Sequence, residues 1–202
     1  VALRLKDRRV SSVPEPLYVG LASISLENRE DMGSIYEWVS FNMRELTYRV
    51  HFTICPIPDP FPMDEEFVTR IEDDNGVYDF NGQIALCERF EYVAEATRDT
   101  ERVLKADFTL MKLEEGRNTL ISLVNKTTGE ILYTANLVDD IIMFRSDSGE
   151  PPYSLECDHD FPITLKLKYE KSTWTLVQAT VLDWNVVSRP VELGADIISG
   201  QI

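Results

Sequence analysis

An all-β fold is what the 202-residue sequence predicts, and three observations predict it. Apolar and polar residues alternate with a period of two through most of the chain. Asn-Gly, Glu-Gly and Thr-Gly pairs punctuate the alternating runs. Only one segment carries a helical period. Leu46, Tyr48, Val50, Phe52 and Ile54 share one side of a strand, with Glu45, Thr47, Arg49, His51 and Thr53 on the other. The pattern returns at Phe90-Tyr92-Ala94, Leu104-Ala106-Phe108-Leu110 and Ile163-Leu165-Leu167-Tyr169. Strands that are apolar on one face and polar on the other belong to antiparallel sheets with one face in water. The expectation is two tandem antiparallel β-sandwich domains, immunoglobulin- or transthyretin-like, with one short helix in the second.

Along the chain, Asp74-Asn75-Gly76 and Asn81-Gly82 read as turns, because Asn and Gly tolerate positive φ. Glu115-Gly116 and Thr128-Gly129 mark two hairpins in the second half. Pro56, Pro58, Pro60 and Pro62 make the stretch around them a stiff extended loop. Asn136 caps a two- to three-turn helix over 136–144, with Asp139 three residues on and Leu137, Val138, Ile141 and Ile142 on one face. From Trp174 onward the apolar set changes parity at Leu176-Val177, as a β-bulge would make it do. The most polar stretch between two strand-rich halves is Thr97–Arg102. It divides the chain into residues 1–98, a first sandwich expected to lack leading residues, and residues 99–202, a second.

The formal net charge of -15 argues against nucleic acid and anionic lipid surfaces as partners. There is no apolar run long enough to span a bilayer, and no signal peptide at the first residues. Cys55, Cys87 and Cys157 fit no zinc spacing and read as small core residues, with a Cys55–Cys87 bridge as an alternative. His51 falls on the polar side of its strand and reads as solvated. Cys157-Asp158-His159-Asp160 is too local to converge on a metal ion. Asp73-Asp74-Asn75-Gly76 resembles a calcium loop in composition, but Ile71 occupies the first ligand position. No phosphate loop, dinucleotide fingerprint or nucleophile elbow occurs. No catalytic residue, cofactor or metal is assigned, and the chain reads as a non-enzyme. Trp38, Trp174 and Trp184 read as core residues, with Trp184 buried in a final strand. The alternative function is a surface carbohydrate-binding module using the loop aromatics Phe61, Tyr153 and Phe161.

The second half carries an ordered set of landmarks. They are Thr119–Val124, then Thr128-Gly129-Glu130 before Ile131-Leu132-Tyr133, the Asn136-capped segment, the Trp174 strand, and a terminal Leu182–Val187 strand with Trp184. In the first half Pro16–Gly20, Arg44–Val50 and Val77–Gly82 agree more loosely. Their order resembles the FimB/Mfa-type fimbrillin-associated anchor family of the type V fimbriae of Bacteroidetes, over roughly residues 15 to 190. The resemblance implies a structural subunit at the cell surface, associated with the outer membrane, that anchors or terminates a fimbria. Its partners would be fimbrial shaft subunits, and membrane attachment would come only through an N-terminal lipid anchor that this sequence does not contain. Such subunits dock by strand addition or through surfaces. Tyr48, Val50 and Phe52, on the apolar side of an early strand, are the residues expected to line a strand-docking groove.

Overall fold

The computed structural model describes residues 1–24, 36, 38–57, 66–85, 87–100, 103–143, 153–170, 173–181 and 184–186. For 57, 99–100, 169–170, 173–181 and 184–186 it describes the backbone course alone. The strands are β1 (Leu5–Lys6), β2 (Arg9–Val10), β3 (Tyr18–Val19), β4 (Arg44–Glu45), β5 (Thr47–Ile57), β6 (Phe67–Asp73), β7 (Val77–Tyr78) and β8 (Ile84–Ala85). They continue as β9 (Phe90–Glu95), β10 (Thr97–Thr100), β11 (Val103–Met111), β12 (Leu120–Asn125), β13 (Ile131–Asn136), β14 (Asp160–Glu170), β15 (Thr173–Val181) and β16 (Trp184–Val186).

Two six-stranded sheets face each other. Sheet one runs β1-β2-β9-β6-β12-β13, and sheet two runs β10-β11-β5-β14-β15-β16. Two small two-stranded sheets, β3-β4 and β7-β8, stand apart from them. The alternating residues point inward from both sheets into one core. Phe52, Ile54, Phe108 and Leu165 of sheet two meet Ile71, Phe90, Ile121 and Leu123 of sheet one there. A smaller cluster around Leu46, Tyr78 and Met111 sits under the two small sheets.

The expected division at residue 98 is therefore corrected. Strands from both halves alternate within each sheet: β6 pairs with β12, and β5 lies between β11 and β14. The polar stretch read as a linker is largely strand β10. There the chain leaves β9 of sheet one, with Ala96 N–H donating to Phe67 O, and enters the edge of sheet two. An edge strand has water on one flank, so it looks as polar as a linker does. The sheets are also not purely antiparallel, because β5 and β14 run parallel over Asp160–Lys168. A parallel neighbour needs a long crossover, and the intervening chain supplies one by building most of sheet one.

Local signals survive better. Asn136 accepts from the N–H groups of Val138 and Asp139 at 3.0 Å each, and caps the segment where a helix was expected. That segment is a single π-helical turn, Leu137–Ile142, whose four apolar residues are all buried. The bulge at Leu176-Val177 is present: Lys166 pairs with Gln178 and Leu167 with Leu176, so Val177 has no partner. Gly82, Gly116 and Gly129 hold positive φ, as turn glycines do. The Glu115-Gly116 turn does not close a hairpin, however; it carries the chain from sheet two to sheet one. The side chains of Phe61, Trp174 and Trp184 lie outside the described residues.

Candidate docking surfaces

Tyr48, Val50 and Phe52 are 2 %, 0 % and 1 % exposed, and they line no strand-sized groove. Their strand is flanked on both sides, by β11 from Thr47 to Ile54 and by β14 from Arg49 to Ile57. The alternation correctly gave the apolar face of β5, but that face meets the opposite sheet rather than an incoming strand. Only Tyr48 comes near the surface, at the end of the sandwich. Its hydroxyl donates to Leu155 O at 2.6 Å, and its ring lies 5.8 Å from that of Phe161. Burial pushes its phenol up to about 12.

Beside Tyr48 is a cleft of about 410 Å3. Leu46, Leu113 and Tyr153 contribute to its floor, and Arg44, Lys112 and Glu156 to its rim. The position of Lys112 depends on a buried polar knot. Asn75 donates from Nδ2 to the carbonyls of Met111 and Lys112 at 3.1 and 3.0 Å, and accepts from the Tyr92 hydroxyl at 2.9 Å. Tyr92 in turn accepts from Met111 N–H. Next to the knot, Asp73 accepts from Thr119 Oγ1 and from Asp74 N–H, both at 2.7 Å. Burial raises the Asp73 carboxyl above its ordinary range, and those two hydrogen bonds only partly oppose the shift. Asp74 pairs with Arg117. The turn reading of Asp74-Asn75-Gly76 thus missed the main role of these residues. Gly76 does not have positive φ; a Cβ there would lie 2.9 Å from the ring of Phe90. A buried Asn with a Gly that admits an aromatic ring has the same two-letter signature as a turn, so sequence alone does not separate them.

Among the described residues, sheet one has an open flank. β9 pairs with β6 along its whole length, but β2 meets it only at Arg9 opposite Glu91. Glu91 N–H points outward to Arg8 O, and Ala96 N–H points inward to Phe67 O. The period of two therefore aims the backbone groups of Val93 and Glu95 outward. Among the described residues no strand pairs with them there, and the Val93 side chain is 42 % exposed.

A profile of the fimbrillin-A associated anchor proteins Mfa1 and Mfa2 matches residues 2–190. The chain belongs to this family of fimbrial anchor proteins. The minor fimbrium anchoring subunit Mfa2 of Porphyromonas gingivalis is 29 % identical over 173 residues, covering 84 % of this chain and 51 % of that protein. The solved structure of the fimbrial anchor protein Mfa2 from Porphyromonas gingivalis superposes with a TM-score of 0.76 at 25 % identity, over 93 % of this chain and 66 % of the other. A Bacteroides thetaiotaomicron structure described as a candidate polysaccharide-binding protein shares the fold at TM-score 0.70 and 18 % identity, over 93 % of this chain and 66 % of that one. The chain spans about half the length of the curated anchor relative that it matches.

Within this anchor-family fold, the residues weighed for other chemistry occupy ordinary places. His51 Nδ1 lies 2.6 Å from Asp107 Oδ1 on the outer face of sheet two, so it is paired rather than merely solvated. His159 packs on Tyr48 and approaches Thr47 O at 3.2 Å. Among the described residues, no three His, Cys, Asp or Glu side chains converge as metal ligands. Cys55, Cys87 and Cys157 are unbridged; the first two are half-buried, and Cys157 is exposed rather than core. Tyr153 and Phe161, weighed as sugar-stacking aromatics, are buried against each other at 4.9 Å. Trp38, expected in the core, is 100 % exposed.

Proposed function

We propose that this chain is a non-catalytic structural subunit of a cell-surface fimbria. It would anchor the fimbria at the outer membrane or serve as an accessory or terminal subunit, docking to shaft subunits. The observation that carries the reading is the family match across residues 2–190, joined to a named anchoring subunit at 29 % identity. The docking mode we favour is strand addition, and the flank of β9 at Val93 and Glu95 replaces β5 as its seat. Outward backbone N–H and C=O groups beside an exposed Val offer a partner strand a ready hydrogen-bonding edge.

Val93→Pro tests this. The substitution removes an N–H that points away from β6, a position where an edge strand tolerates proline. In a fimbriated cell that encodes this chain, deleting the gene should leave fimbriae shed or shortened. The Val93→Pro protein should fold, reach the surface and fail to restore them. Full restoration would refute the β9 edge. Unaltered fimbriae in the deletion strain would refute the fimbrial reading itself.

A further inference from the structure

The acidic total hides a basic hairpin. Arg4, Lys6, Arg8 and Arg9 crowd four of the 20 Lys and Arg residues into six positions, with Asp7 as the lone acid among them. All four cations are exposed. β1 and β2 are joined by a two-residue turn, with Leu5 opposite Val10 and Lys6 opposite Arg9. Val10 packs on the core, so the other face carries Lys6 directly across from Arg9. Like charges in that relation destabilise a strand pair. The turn residues Asp7 and Arg8 have φ of 53° and 58°. A two-residue turn with both central φ positive normally takes Asn-Gly, and an arginine there is strained. Two local costs within six residues are a pattern that functional sites share.

Among the described residues, the donors of this hairpin find few partners. Arg8 lies 3.8 Å from Glu88, too far for a hydrogen bond, and both side chains are mostly in water. Arg9 uses Nε on Glu91 at 3.1 Å, and no bond from its two terminal nitrogens to a described residue is found. Arg4 and Lys6 form no ion pair with another described residue. Arg89 is fixed beside them by the carbonyls of Asn118 and Glu72. Arg8, Arg9 and Arg89 border one cleft of about 450 Å3 together with Asp7, Glu72 and Glu91, and the two glutamates already engage Arg89 and Arg9.

We propose that the exposed cations of the β1–β2 hairpin, at the edge of this cleft, form a phosphate-binding site, and that the phosphates belong to a lipid headgroup layer. Free guanidinium forks match phosphate oxygens in pairs. The total charge of -15 opposes an anionic surface only at long range. At about 0.15 M salt, charges beyond a Debye length of roughly 8 Å are screened, so the residues nearest the surface decide. The site goes beyond the fimbrial reading and needs no fimbrial partner.

The test uses the whole chain with phosphatidylcholine vesicles, with and without phosphatidylglycerol. The protein should sediment only with the anionic vesicles, and Arg8→Glu should weaken this by about tenfold. Lys166→Glu, on the outer face of sheet two, makes the same change in total charge and should leave binding unaltered. Unchanged melting temperatures would establish that both variants fold. Equal losses in the two variants would overturn the site in favour of overall repulsion. Inorganic phosphate, followed by amide NMR shifts at Arg8 and Arg9, separates the sources. Shifts without vesicle binding would overturn the lipid assignment in favour of a soluble phosphate ester. Neither shifts nor vesicle binding would overturn the proposal.

Discussion

Asn75→Ala should unfold this protein far more easily than a change in a surface turn would. Asn75 is fully buried and makes three hydrogen bonds, to Met111 O, Lys112 O and the Tyr92 hydroxyl. Truncation removes all three. The Tyr92 O–H loses its acceptor, the buried Met111 carbonyl loses its donor, and the half-buried Lys112 carbonyl loses one that water replaces only in part. One unsatisfied buried group costs about 1–3 kcal/mol. The tyrosine alone accounts for one such loss, and the carbonyls and the small cavity bring the total to about 3–5 kcal/mol. For a chain of this size about 1 kcal/mol shifts Tm by roughly 2–4 °C, so the melt should fall by on the order of 10 °C. Tyr92→Phe should lose less, since it keeps the ring. The double variant should lose less than the sum of the two, because each single change already breaks the shared bond. Thermal and urea melts followed by circular dichroism measure all three. A loss under about 1 kcal/mol for Asn75→Ala, or strictly additive losses, would refute the knot and return Asn75 to the role of a turn residue.

Because one core joins both halves, calorimetry should show one cooperative transition with matching calorimetric and van't Hoff enthalpies; two separated transitions would restore the tandem-domain reading. Asp73 has a folded-state carboxyl raised by burial. Its contribution to stability is full below the unfolded carboxylate range and lost as pH rises through the folded value. Asp73→Asn should therefore gain on the parent in Tm as pH goes from acid to neutral, and a difference that does not vary with pH would contradict this. Under native conditions a thiol reagent should label Cys157 first, and Cys55 slowly, since burial pushes its thiol up. Prompt labelling of all three would argue against the packing around Cys55 and Cys87.

The sequence by itself determined what depends on neighbours along the chain. Strand faces follow from a period of two, so the inward sets of β5, β11 and β14 were readable. So were the Asn136 cap, the bulge at Val177 and the left-handed turns at Gly82, Gly116 and Gly129. The ordered landmarks of the second half were enough to reach the anchor family. Only the tertiary structure decided which strand lies beside which, because hydrogen bonds between strands are made by backbone groups that every residue carries. Nothing in Tyr48-Arg49-Val50 states that β14, more than a hundred residues away, will cover its flank, and so a docking groove is expected where a central strand lies. The same blindness made β10 look like a linker and split one core into two. The Asn75 knot was hidden for a related reason: whether a polar side chain turns to water or to carbonyls 36 residues away is decided by the strands that close over it.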